Sequence, residues 1–128
     1  PFRGRTWLDG GVADSLPVKE AYRRGARKIM VIRSNPASYR KQAYRFRHLF
    51  PYILRQYPAV AKRLQRRHLE YNEALDFIRN PPADCEVIEL CPPESFSAGQ
   101  FTTDMQVLDE AYEMGKVDGL RVLSQNLI

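Results

Sequence analysis

Few side chains in this sequence have the type and spacing that catalysis needs, and Asp9, Gly10 and Gly11 stand out among them. Two glycines directly after an aspartate permit backbone at φ above zero and a sharp turn. A carboxylate carried there can act as a general base or orient a hydroxyl, provided it lies within hydrogen-bond reach and is partly desolvated. The plain alternative is a turn in which Asp9 caps neighbouring amides. A nucleophile is harder to find. None of Ser15, Ser34, Ser38, Ser95, Ser97 and Ser124 sits in a Gly-x-Ser-x-Gly elbow. His48 and His68 have no carboxylate or cysteine at ligand spacing and read as surface or packing residues. Cys85 and Cys91 bracket one extended run, where a disulfide would need the strand broken, so they read as reduced thiols without a zinc site.

The elements that must hold these residues follow from period and punctuation. Arg5 to Leu8 reads as the end of a strand entering the Asp9-Gly10-Gly11 turn. Pro17 opens a short helix with Val18, Ala21 and Tyr22 on one face, and Gly25 suits the position just past its end. Lys28 to Arg33 is a continuous apolar run, the pattern of a parallel strand buried on both faces. From Ser38 to Tyr57 aromatic and basic residues alternate, and the stretch reads as helical pieces cut by Pro51 and Pro58. Ala59 to Arg79 is the longest helical signal, with Val60, Leu64, Tyr71, Leu75 and Ile78 on one face and Arg63, Arg66, Arg67 and Glu70 on the other. Cys85 to Leu90 reads as a strand, and a capping box at Thr103 to Gln106 opens a last helix with Met105, Leu108, Tyr112, Gly115 and Gly119 along a face. Alternating strands and helices predict an α/β fold with a parallel sheet. Three strands are few for such a sheet, and the sequence begins at Pro1, so the chain is expected to be the C-terminal part of a longer protein.

Composition bounds the class. With 128 residues, 44% hydrophobic, the chain is long enough for one compact core, and it contains no apolar run of membrane-spanning length. Its net charge of +5 is unevenly placed: no acidic residue lies between Glu20 and Glu70, and twelve of the fifteen acids lie at Glu70 or later. The basic, aromatic stretch from Tyr39 to His68 has three readings: a solvated face paired with later acids, a surface for anionic lipid, or a nucleic-acid contact without a known reader motif.

The run Trp7-Leu8-Asp9-Gly10-Gly11-Val12-Ala13-Asp14-Ser15-Leu16-Pro17-Val18, with the helix ending at Gly25 and the strand Lys28 to Arg33, resembles the Asp-Gly-Gly/Ala region of bacterial patatin-like phospholipases. The resemblance is sharpest from Arg5 to Pro36. It implies an α/β fold in which residues 1–36 are the C-terminal part of the catalytic domain and residues 37–128 a helical and α/β segment packed on it. It also implies lipid acyl ester hydrolysis by a Ser-Asp dyad, with Asp9 as the aspartate and Gly10 and Gly11 as supporting loop residues. The nucleophile and oxyanion hole of that family are missing here, so they are expected in a preceding N-terminal part and this chain alone is expected to be inactive. No metal or cofactor is implied. Arg40, Lys41, Arg63, Arg66 and Arg67 are candidate lipid-facing residues, and the expected location is the cytoplasm, including the inner membrane face. The rival from another class is a non-catalytic basic α/β module that binds nucleic acid or anionic membrane.

Overall fold

The computed structural model of the chain describes residues 3–4, 7–99 and 101–126. Helix and strand are mixed in the order α1 (Gly10–Ala13), α2 (Val18–Arg23), β1 (Lys28–Ile32), α3 (Phe50–Ile53), α4 (Pro58–Arg79), β2 (Glu86–Leu90) and α5 (Met105–Asn126). A single 3₁₀ turn, Arg47–Leu49, precedes α3. Arg27 C=O accepts from Glu86 N–H at one end of the strand pair and Arg33 N–H donates to Leu90 C=O at the other, so β1 and β2 run parallel. The α/β class is therefore present, as a parallel pair among the described residues. Two compact units divide the chain: Pro1–Ile29 with Arg40–Val87, and Met30–Tyr39 with Ile88–Ile128. The boundary expected at 36/37 lies inside the second of these.

In the first unit α4 is the central element. Pro58 stands in its first turn, where a missing N–H costs nothing, and Asn80 caps its end ahead of Pro81. Ala61, Tyr71, Ala74, Leu75 and Ile78 form its buried stripe, with Leu75 fully enclosed. Burying one such leucine is worth roughly 1.5–3 kcal/mol. Helix α2 ends as its sequence predicts. Gly25 adopts φ +101°, its N–H donates to Tyr22 C=O and Ala26 N–H reaches back to Ala21 C=O, a Schellman closure that a side chain with Cβ would strain. Below it Tyr22 Oη donates to Asp84 at 2.9 Å, Arg27 Nε donates to the other Asp84 oxygen at 2.8 Å, and the Arg27 guanidinium lies 4.3 Å over the Tyr22 ring. The Tyr22 hydrogen bond holds the Asp84 carboxyl below its usual range and pushes the Tyr22 phenol up.

Several expectations need correction. Arg5 and Thr6 lie outside the described residues, and Trp7 and Leu8 are irregular, exposed chain, not strand. Strand β1 is not buried on both faces. Ile29 and Val31 are half-buried while Met30 and Ile32 are exposed, the alternation of a strand covered on one side. Helix in the stretch 38–57 begins only at Arg47. The cause is tertiary: Asn72 of α4 accepts from Lys41 N–H at 2.9 Å and donates to Lys41 C=O at 3.1 Å, acting like a neighbouring strand and holding that backbone extended.

In the second unit α5 starts on Asp104, whose carboxylate accepts from Gln106 N–H at 2.9 Å, so Asp104 and not Thr103 caps it. Its half-buried side is Val107, Ala111, Met114, Asp118 and Val122, at spacings of four, three, four and four. Met105, Leu108 and Tyr112, expected to pack, are exposed.

Candidate functional site

The Asp9 loop forms locally because a short polar side chain can satisfy the amides that open a helix. Asp9 Oδ1 accepts from Gly11 N–H at 3.1 Å, Asp9 C=O accepts from Val12 N–H at 3.0 Å, and one turn of helix follows. Neither Gly10 nor Gly11 has positive φ, so the sharp-turn reason for these glycines does not hold. Nor does space demand them: a Cβ at Gly11 would lie 3.4 Å from Asp9 Oδ2 and 3.7 Å from Arg67 Nη2, ordinary van der Waals contact, and one at Gly10 would meet nothing within 4 Å. The Asp9 side chain is exposed, and among the described residues Gly11 N–H is its hydrogen-bond donor. Its second oxygen, Oδ2, has no hydrogen-bond donor among the described residues.

Arg67 braces this loop from α4. Its Nε donates to Ser15 Oγ at 3.1 Å and its Nη1 to Tyr44 Oη at 3.0 Å, while Ser15 Oγ donates its own proton to Gly11 C=O at 2.7 Å. One guanidinium thus ties the loop, α4 and the segment before α3 within the first unit. Ser15 has its proton committed to a carbonyl and its oxygen to a cation, so it is a structural hydroxyl and not the serine that an Asp9 base would activate. Arg67 was expected to face outward, yet its offset of four from Tyr71 and of eight from Leu75 puts it on the packed stripe, and that spacing was the available signal.

The other basic candidates are also engaged inside the first unit. Arg40 bonds Asp76 Oδ1 at 2.6 Å and Asn72 C=O at 3.1 Å, and Lys41 Nζ lies 5.3 Å over the Tyr71 ring. Arg63 and Arg66, both exposed, share Glu70 at 3.1 and 4.0 Å. By contrast, among the described residues Arg45, Arg47, Arg55 and Lys62 have no carboxylate within 4.0 Å.

The second unit contains a cavity of about 270 Å³ at the carboxyl ends of β1 and β2, walled by Ile32, Leu90, Phe96 and Met114 with Arg33 and Asp118 as charged members. Arg33 is buried; its guanidinium pairs with Glu89, contacts Cys91 Sγ at 3.6 Å and donates to Pro36 C=O at 3.2 Å. Burial, then the Glu89 charge, pushes the Cys91 thiol up, so it stays protonated rather than nucleophilic. Cys85 and Cys91 are free thiols. His48 is exposed, and His68 Nδ1 is buried without a hydrogen-bond partner among the described residues. No group of three His, Cys, Asp or Glu side chains able to hold a metal ion occurs among the described residues. No helix among them is long and apolar enough to cross a membrane.

Residues 57–127 match the family described as "Domain of unknown function (DUF6363)". The chain is similar to the uncharacterized protein YjjU of Escherichia coli (strain K12), with 28% identity over 119 residues, 92% of this chain and 33% of that protein. It therefore spans about a third of the length of the curated relative it matches. No solved structure matches it. The Asp9 loop precedes the matched family segment, whereas Arg67, which braces that loop, lies inside it.

Proposed function

The chain belongs, through residues 57–127, to the DUF6363 family, and from that premise we propose that it is the C-terminal part of a patatin-like serine acyl hydrolase acting on lipid acyl esters in the cytoplasm. Asp9 is the aspartate of a Ser-Asp dyad whose serine and oxyanion donors belong to a preceding part of the same protein. The observation that carries this reading is the state of Asp9. One carboxylate oxygen is held by Gly11 N–H at 3.1 Å, the other has no donor among the described residues, and the loop is tied to α4 by Arg67 through Ser15. A base so held keeps its charge clear of any cation within 4.0 Å among the described residues, and because Asp9 is exposed in this chain, the partial desolvation it needs would come from the preceding part of the protein.

In the reaction the serine oxygen bonds the ester carbonyl carbon while its proton passes to Asp9. The carbon–oxygen bond to the leaving alcohol then breaks, and that alcohol takes the proton. Water repeats the sequence on the acyl-enzyme, again with Asp9 as base. No step is assigned to the cavity of the second unit. No metal or organic cofactor is needed for these steps.

Asp9→Asn in the full-length protein should lower turnover of a short p-nitrophenyl ester by at least about a hundredfold, in the range usual for a general base, with an unchanged melting temperature. Unchanged turnover in a folded Asn variant would remove Asp9 from the reaction.

A further inference from the structure

The stretch from Arg45 to Tyr57 carries a run of exposed apolar side chains interleaved with arginines, and the Arg45 guanidinium lies 5.4 Å over the ring of the neighbouring Phe46. Phe46, Leu49, Tyr52, Ile53 and Tyr57 are exposed by 59, 40, 78, 70 and 50%. Phe46, Leu49 and Ile53 follow one another at three and four residues, the spacing of one helical side, while Phe50 and Leu54 are half-buried and Phe50 meets the Tyr44 ring edge-on at 5.6 Å. The segment is anchored from α4, where Gln65 Nε2 donates to Arg47 C=O at 3.1 Å. So the outward apolar side is held by the fold. Among these residues stand Arg45, Arg47 and Arg55, which have no carboxylate within 4.0 Å among the described residues, in a region of sequence without acids from Ala21 to Leu69.

We propose that the 3₁₀ turn and α3, residues 45–57, form a docking surface for an anionic lipid bilayer, with the apolar tips entering the interface and the three arginines binding headgroup phosphates. The composition selects this partner over others. Aromatic rings and arginines fit the headgroup level, and the aliphatic tips of Leu49 and Ile53 fit acyl chains and offer nothing to stack on a base. A second copy of the same face would set arginine against arginine. The surface is distinct from Arg40, Lys41, Arg63, Arg66 and Arg67, whose cations are engaged within the unit. It is also independent of the Asp9 chemistry.

The test is co-sedimentation of the full-length protein with vesicles of phosphatidylcholine alone or mixed with phosphatidylglycerol, with soluble-ester turnover read on the same samples. Binding is expected to the mixed vesicles only and to weaken with salt. Combined Arg45→Gln, Arg47→Gln and Arg55→Gln should weaken partition by about a hundredfold, at roughly fivefold per arginine, and combined Tyr52→Ser and Ile53→Ser by about tenfold. Combined Arg63→Gln and Arg66→Gln should stay within about twofold of the unaltered protein, because those cations already face Glu70. Undiminished binding by either 45–57 variant overturns the proposal. So does absence of vesicle binding, or binding of a single-stranded oligonucleotide in place of vesicles. Loss of ester turnover with intact vesicle binding bears on the Asp9 reading alone.

Discussion

Arg67 decides how the Asp9 loop is held. It donates to Ser15 and to Tyr44 from a half-buried position on α4, and Ser15 passes the constraint on to Gly11 C=O. Removing the guanidinium strips two charge-assisted bonds and leaves both hydroxyls to find water. Arg67→Met should therefore cost about 2 kcal/mol of stability in urea denaturation, and Arg67→Lys should recover little, since an ammonium cannot span both partners in one plane. The same substitution should lower kcat of the full-length protein more than it raises KM, because loop placement and not substrate contact is lost. Part of this site was legible in advance. Asp9, Gly10 and Gly11 attract notice by type alone, and so does the possibility that Asp9 caps amides. Arg67 was hidden because a basic residue beside Arg66 reads as surface, although its register with Tyr71 and Leu75 places it on the packed side.

At the scale of elements, short helices here depend on their ends. Helix α2 has six residues, and Glu20 in its first turn bonds both Arg23 and Arg24, which holds its carboxyl down at about 2. A carboxylate lowered in the folded state stabilises above its unfolded pKa, and the contribution fades as pH falls through the folded value. Unfolding measured from pH 5 to pH 2 should thus show a flatter acid loss for Glu20→Gln than for the unaltered protein, a small difference because the group is fully exposed. Equal slopes would remove Glu20 from acid sensitivity. Helices α2 and α4 and both strands were readable from period and from Gly25, Pro58 and Asn80. The segment 38–46 was not, because Asn72 and Asp76, more than thirty residues away, override its local helical preference. Likewise the packed side of α5 differs by register from the expected one, since apolar residues occupy both sides and only the strand ends decide which is covered.

For the whole molecule, the uneven charge of the sequence is largely an internal complementarity. Arg27, Lys28, Arg33, Arg40, Arg63 and Arg66 of the basic stretch pair with acids at Asp84, Glu86, Glu89, Asp76 and Glu70. Charge totals alone could not reveal this, because pairing depends on which segments meet. Arg45, Arg47 and Arg55, which have no carboxylate within 4.0 Å among the described residues, stand around α3, where the lipid surface is proposed. Met30 and Ile32 leave one face of β1 uncovered within this chain, which spans 33% of its relative's length. The α/β class was legible in the alternation of elements, and the described residues carry it as a two-stranded parallel sheet. The most direct measurement is the rate and position of fluorophosphonate labelling in the full-length protein. The account predicts that one serine outside these 128 residues is labelled and that Asp9→Asn slows the labelling by at least about a hundredfold. Labelling at Ser15 or another serine of this chain, or labelling at an unchanged rate in the Asn variant, would contradict it.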